Sequence, residues 1–245
     1  MGIKVNQETL QMIADLSNAR GASGFEDETV QAAAKHIGEG YTTEEDCLRN
    51  FYMYRTANSG NKPVFMLDAH SDEVGFMVHS IRPNGTLRFV ALGGWNVGSL
   101  ASSKVLVRNS EGKYLPGVIA AKPVHFMSAS EKASAGAADI SSLSIDIGAV
   151  SAKDAAENFK IRIGEPVVPD VTLEYDEEHD LMFGKAFDCR IGCAALIETL
   201  RRLRDEKLDV DVVGVLSSQE EVGERGMKVA VNHITVSYTH LTLPT

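Results

Sequence analysis

Hydrophobic positions along the chain change period three times. In "NQETLQMIADLSNA" Leu10, Ile13 and Leu16 recur at helical spacing behind Asn6, which predicts a helix capped by that residue. "GASGFEDETVQAAAKHIGEG" reads as a glycine-marked loop entering a second helix that stops at Gly38 and Gly40. "KPVFMLDAH" is a short continuous apolar run, the pattern of a strand covered on both faces. From about Val74 to Glu165 the period shortens to two. "GFMVHSI", "TLRFVAL", "KVLVRN", "YLPGVIA" and "SLSIDIGA" alternate between turn signals, predicting a small antiparallel region, a barrel or a sandwich. Helical spacing then returns. "IGCAALIETLRRLRDE" carries Ala195, Leu196, Leu200 and Leu203 on an amphipathic helix, and "VDVVGVLSSQ" reads as another buried strand. The economical fold is an α/β domain of βαβ type interrupted by a β-rich insertion.

Composition narrows the function classes. At 245 residues and 44% hydrophobic, the chain can bury one large core or two modest ones. Its 24 Lys and Arg against 34 Asp and Glu leave a formal charge of −10, which argues against nucleic acid or an anionic membrane as partner. No segment approaches the roughly 20 apolar residues that span a bilayer. "MGIKVNQETLQMIADL" lacks the apolar stretch and cleavage site of a secretory signal, and Asn6 breaks the myristoylation pattern after Gly2. Cys47, Cys189 and Cys193 form an odd set without paired spacing and read as free thiols, so a cytoplasmic location is expected.

Chemistry gathers in three acidic clusters. The apolar run "PVFMLDAHSDEVGF" ends in His70, Asp72 and Glu73 after Asp68, a set with no packing use. Residues i and i+2 on extended backbone share a side, so His70 can ligate a metal while Asp72 stands close enough to orient the ring or a neighbouring group. A satisfied polar turn would account for the same residues. In "SSQEEVGERG", Glu220 and Glu221 follow an apolar strand, and on extended backbone they face opposite ways, which suits one ligand and one proton shuttle. A solvated loop rim is the plainer account of that pair. In "GKAFDCRIGCAAL", Asp188 is either a helix-entry acid or a carboxylate shared by two cations. Cys189 and Cys193 lack a second Cys/His pair at zinc-finger spacing, so a thiolate zinc site is set aside. Open α/β sheets bind ligands outside the carboxyl ends of their strands, and two of these clusters follow apolar strands. Together they supply the residue types of a co-catalytic dinuclear hydrolase: oxygen donors, an imidazole and one free carboxylate.

These blocks resemble the M42 family of metallo-aminopeptidases. "LDAHSDEVGFMV", "ALGGW", "GVIAAKPVHFMS", "SIDIGAVSAKDA", "VVPD", "GKAFDCRIGCAAL" and "SSQEEVGERG" are similar to that family's blocks and stand in its order, covering about Leu10 to Ile234. The resemblance implies an aminopeptidase-type three-layer α/β domain over residues 1–74 and 166–234, with a small β-barrel domain inserted over 75–165. It implies His70, Asp188 and Glu221 as metal ligands, with Asp188 bridging two divalent ions, zinc or cobalt. It implies Glu220 as general base and Asp72 as the acid that orients the site. Peptide substrates, release of N-terminal residues and assembly into a homo-oligomer, a dodecamer, are further implications.

The chain also departs from the family pattern. The resemblance implies two later ligands, an aspartate and a histidine, yet no acid follows Glu224, and only His233 and His240 follow Glu221. Neither histidine is assigned. Residues 235–245, containing "VSYTHLTLPT", read as a non-native tail, and the chain as an incomplete and inactive fragment of an aminopeptidase. The alternatives are a truncated module without catalysis and a related co-catalytic carboxypeptidase or deacylase.

Overall fold

In this computed structural model, residues 5–128, 139–235 and 238–241 are described. They form two compact units, Met1–Glu73 with Thr172–Thr245, and Val74–Val171.

The first unit is built on a five-stranded sheet. Its members are β1 (Tyr41–Glu45), β2 (Phe51–Arg55), β3 (Val64–His70), β12 (Asp211–Ser217) and β13 (Tyr238–Leu241), in the order β1-β2-β12-β3-β13. A separate antiparallel pair, β10 (Glu174–Asp176) and β11 (Leu181–Phe183), belongs to the same unit. β12 and β13 run parallel to β3, while β2 runs antiparallel to β12 and to β1. Alternation along the strands serves two cores. Phe51, Met53, Ala69, Val212 and Leu216 face a cluster supplied by α1 (Gln7–Asn18), α2 (Asp27–Ile37) and α4 (Phe187–Leu203). Tyr52, Met66, Val213 and Val215 face a second cluster with Ala230 of α5 (Arg225–His233) and Ile234. Helices therefore cover both faces, giving three layers, and β3 is buried on both sides as its continuous apolar pattern predicts.

Local chemistry accounts for the helix limits. Asn6 caps α1 by accepting from the Thr9 N–H at 2.8 Å, and Gly38 ends α2 at a positive φ of 74°. α4 seats Cys193, Ala194, Leu196, Ile197 and Leu200 in the core, whereas Ala195 is exposed. The predicted face is therefore off by one residue at its start, because alanine carries too little apolar surface to fix the phase. Gly214 lets this helix approach β12: a Cβ there would stand 2.5 Å from Leu200 Cδ1. Overpacking of that kind costs about 1–3 kcal/mol.

The second unit is a closed barrel with the strand order β4-β5-β8-β7-β6-β9. Its strands are β4 (Gly75–Ile81), β5 (Leu87–Leu92), β6 (Lys104–Arg108), β7 (Tyr114–Ala120), β8 (Ser144–Asp146) and β9 (Pro166–Pro169), with α3 (Ala152–Glu157) lying between β8 and β9 in sequence. Phe76 packs edge-on to Phe89 at 5.0 Å and stacks on Trp95 at 4.6 Å, inside a core that includes Val78, Leu87, Ile119, Ile145 and Val167. Of barrel and sandwich, the region forms the barrel. The boundary expected at 165 needs correcting. β9 closes the barrel by pairing with both β4 and β6, so the unit runs to Val171.

Two further differences concern strands. The N-terminal part contains the β1–β2 pair, not only two helices and a strand. Tyr238–Leu241, inside the expected tail, pairs as β13 along β3, while residues 236–237 and 242–245 of that tail lie outside the described residues.

Candidate metal centre

β3 and β12 are parallel neighbours, with Ser217 paired opposite His70, so both strands deliver their following residues to one edge of the sheet. That register brings the first two acidic clusters together. The third arrives on α4, whose first turn departs from helical geometry at Asp188 and Cys189 before regular helix begins. His70 Nε2 lies 3.1 Å from Asp188 Oδ1 and 3.9 Å from Glu220 Oε2, and its Nδ1 lies 3.4 Å from Asp72 Oδ1. The last distance is an ion-pair contact without hydrogen-bond alignment, and Nδ1 has no hydrogen-bond partner.

Asp72 is fully buried and organises the edge. Its Oδ2 accepts from Ser23 Oγ at 2.7 Å and from the Glu221 N–H at 3.2 Å, and its Oδ1 accepts from the Glu220 N–H at 2.9 Å. Removing this carboxylate would strand buried donors at about 1–3 kcal/mol each. The neighbouring Glu73 turns away into a buried ion pair, 2.6 Å from Lys185 Nζ, while Arg190 Nη1 donates to the Leu16 and Ala19 carbonyls near the end of α1. Asp68 accepts from Ser217 Oγ at 3.1 Å beneath the site.

Glu220 and Glu221 do not face opposite ways. Gln219 has a φ of +53°, and the Gly223 and Glu224 N–H groups donate to the Glu220 carbonyl, so the pair sits on a turn, not on extended backbone. Ligand atoms of His70, Glu220 and Glu221 consequently lie within 4.8 Å of one another, as do those of His70, Asp188 and Cys189. Cys189, set aside on sequence grounds, thus lies beside the site, and burial pushes its thiol pKa up, favouring the protonated form. Cys193 Sγ donates to the His70 carbonyl at 3.1 Å. His233 is used elsewhere, 3.6 Å from Glu44 and with its ring 4.7 Å from that of Tyr52. The side chain of His240 lies outside the described residues.

Four carboxylates thus converge on one imidazole. Burial disfavours the imidazolium, but Asp72, Glu220 and Asp188 outweigh it and raise the His70 pKa to about 9. Burial, helped by Asp72, Glu220 and Asp188, lifts Glu221 to about 7 against the pull of His70. Burial also works against Asp72, yet the adjacent His70 ring and the hydrogen bonds from Ser23 and the Glu220 N–H keep its pKa below the usual range. Crowded oxygen donors around a nitrogen donor match a divalent cation, so the residues present fit a metal.

The pKa shifts set a pH dependence. Folded His70 and Glu221 hold protons to higher pH than their ordinary values of 6.5 and 4.5, so the folded chain binds more protons across that window. The stability of metal-free protein should therefore fall as pH rises from about 4.5 to about 9. Zinc binding needs the deprotonated forms and should tighten over the upper part of the same range. Thermal unfolding in chelator at pH 6.5 and pH 9, compared with His70→Gln, checks this. A wild-type pH slope no steeper than that of the variant would contradict it.

Fold and site together define an α/β protein with a candidate metal centre outside the carboxyl ends of parallel strands. The chain belongs to the M42 glutamyl aminopeptidase family, whose model matches residues 50–240. It is similar to the glutamyl aminopeptidase of Lactococcus lactis subsp. cremoris, 33% identical over 224 residues, which are 91% of this chain and 62% of that protein. Among solved structures it resembles a TET aminopeptidase from a marine sediment archaeon (Thaumarchaeota), with a TM-score of 0.88 and 31% identity over 95% of this chain and 65% of that one. It also resembles the Pyrococcus horikoshii TET1 peptidase, which can assemble into a tetrahedron or a large octahedral shell. That match has a TM-score of 0.82 and 27% identity over 94% of this chain and 67% of the other. The chain spans less than two thirds of the Lactococcus protein's length. No helix among the described residues is long and apolar enough to cross a membrane.

Sequence reasoning singled out His70, Asp72, Asp188, Glu220 and Glu221, and the fold brings all five together. It missed Ser23, Lys185 and the buried acceptors behind the glutamate turn. For Ser23 and Glu26 the signal was "RGASGFE", glycines around a serine and an acid in a loop between two helices, whereas Lys185 stands in the quoted block "GKAFDCRIGCAAL".

Proposed function

We propose that this chain carries the catalytic residues of a dinuclear-metal aminopeptidase that removes N-terminal residues from peptides. The observation that supports it most is the convergence of His70, Asp188, Glu220 and Glu221 at one sheet edge in an M42 family member. His70, Asp188 and Glu221 would hold two divalent ions, zinc or cobalt, with Asp188 serving both. When bound, the ions supply a water of lowered pKa and polarise the scissile carbonyl. Glu220 takes the proton of the attacking water and returns it to the leaving amine. Asp72 fixes the His70 ring and, through the Glu220 and Glu221 N–H groups, the position of both glutamates. The TET1 relative can assemble into a tetrahedron or a large octahedral shell, and a homo-oligomer is proposed here by likeness.

The test is hydrolysis of amino-acid p-nitroanilides by a polypeptide that also carries the length of the relatives not spanned here. Turnover should require metal, stop with chelator and be lost when the substrate amine is acetylated. Release of acetate from N-acetyl amino acids, without release of p-nitroaniline from the free-amine substrates, would favour the deacylase reading instead. Residues 1–245 alone are expected to show no turnover, even with excess zinc or cobalt. His70, Asp188 and Glu221 shared between two ions give each about two protein donors, fewer than the three usual in catalytic zinc sites. Metal-dependent turnover from this polypeptide would show that residues within it complete the site.

A further inference from the structure

Four consecutive amides lead into the glutamate pair, and each donates to a buried side-chain oxygen. Ser218 N–H donates to Asn50 Oδ1 at 2.9 Å and Gln219 N–H to Glu26 Oε1 at 3.1 Å. Glu220 and Glu221 N–H donate to the two oxygens of Asp72 at 2.9 and 3.2 Å. Three side chains from separate parts of the sequence thus hold one turn by its backbone, and all three are fully buried.

The acceptors differ in what else they do. Asn50 also donates to the Gly226 carbonyl at 3.0 Å and to Asp46, and a Cβ at Gly226 would stand 2.2 Å from Asn50 Oδ1. Its loss would disturb packing broadly. Asp72 belongs to the site already described. Glu26 is different. Apart from the Gly24 N–H at 2.7 Å, its Oε1 serves only Gln219, and its Oε2 has no hydrogen-bond partner. A buried carboxylate is costly, so one retained for two backbone donors calls for a use.

We propose that Glu26 is a positioning residue for the glutamate pair: by accepting the Gln219 N–H it fixes the left-handed residue from which Glu220 and Glu221 turn toward His70. This inference rests on the metal-site reading above for its functional meaning, and on geometry alone for its structural half. Gln219 sits at a φ of +53°, a conformation that side-chain-bearing residues hold only when their surroundings impose it. Ser23 and Glu26, on one loop, thereby reach both acidic segments, Asp72 through a hydroxyl and Gln219 through a carboxylate. Accepting an N–H does not require charge, and burial holds the Glu26 carboxyl up at about 7.

The experiment uses the 245-residue chain with two readouts, amide hydrogen exchange over residues 218–221 and zinc affinity by competition with a chromophoric chelator. Glu26→Ala should speed exchange at Gln219, Glu220 and Glu221 by about ten-fold, the loss of roughly one buried hydrogen bond. It should weaken zinc by about ten-fold, as removal of a residue supporting metal ligands does. Glu26→Gln, which keeps the oxygen, should stay within about two-fold of wild type in both, by the same reasoning. Unchanged exchange in Glu26→Ala would overturn the proposal. So would equal acceleration along β12, which marks general destabilisation, or a Glu26→Gln variant as impaired as Glu26→Ala. His70→Ala separates the two levels. If it leaves zinc affinity unchanged, the metal reading fails, while the exchange data still decide whether Glu26 holds the turn.

Discussion

Replacing Glu220 by glutamine is expected to lower kcat by about 10²-fold or more, with metal content unchanged, in a polypeptide that also carries the length of the relatives not spanned here. Glutamine keeps the size and one oxygen of the side chain but cannot take a proton from water. The Glu220 N–H would still reach Asp72 at 2.9 Å, so the turn and its neighbour Glu221 should keep their places. The side chain is 29% exposed, so it reaches water as well as His70, which suits proton transfer better than a closed ligand position. Metal analysis by mass spectrometry alongside steady-state kinetics checks both halves. A variant retaining more than about a tenth of wild-type kcat would remove Glu220 from the role of base, because loss of a general base costs more than that.

Glu220 also shows where sequence reading succeeds and where it stops. The ends of β3 and β12 were legible because a continuous apolar run gives way abruptly to acids, and parallel neighbours bring such ends together. The barrel was legible through its period of two and its turn glycines. β1 was not, because in Tyr41–Glu45 four of the five residues are exposed and the alternation vanishes. β9 is bounded by Pro166 and Pro169, residues that argue against a paired strand unless the barrel accommodates them. The common orientation of Glu220 and Glu221 depends on the backbone at Gln219, which hydrophobic period does not encode. The acceptor that holds Gln219 lies 193 residues away, on a loop marked in the sequence by glycines around a serine and an acid. Tertiary hydrogen bonds of that span leave no periodic trace, so residue types in the site could be read while their supports could not.

Asp188→Ala should deplete both metal positions at once, whereas His70→Ala should chiefly deplete one. The asymmetry follows from the proposed roles: a bridging carboxylate has an oxygen for each cation, and an imidazole offers one nitrogen. Asp188 Oδ1 lies 3.1 Å from His70 Nε2, and its side chain is 68% exposed, so it has a free side from which to engage a second ion. His70 is held from behind by the strand and from the side by Asp72, which leaves Nε2 as its outward donor. Removing Asp188 also takes one charge from a crowded set, which should ease the ionisation of Glu221 and partly offset the loss at that ligand. Metal content after dialysis, measured by mass spectrometry on the longer polypeptide, separates the outcomes. Near-zero occupancy in Asp188→Ala with one ion retained in His70→Ala supports the bridge. Two ions retained in Asp188→Ala would end it, and Asp188 would then be an acid at the entry of α4, stabilised by the helix dipole and by nothing catalytic.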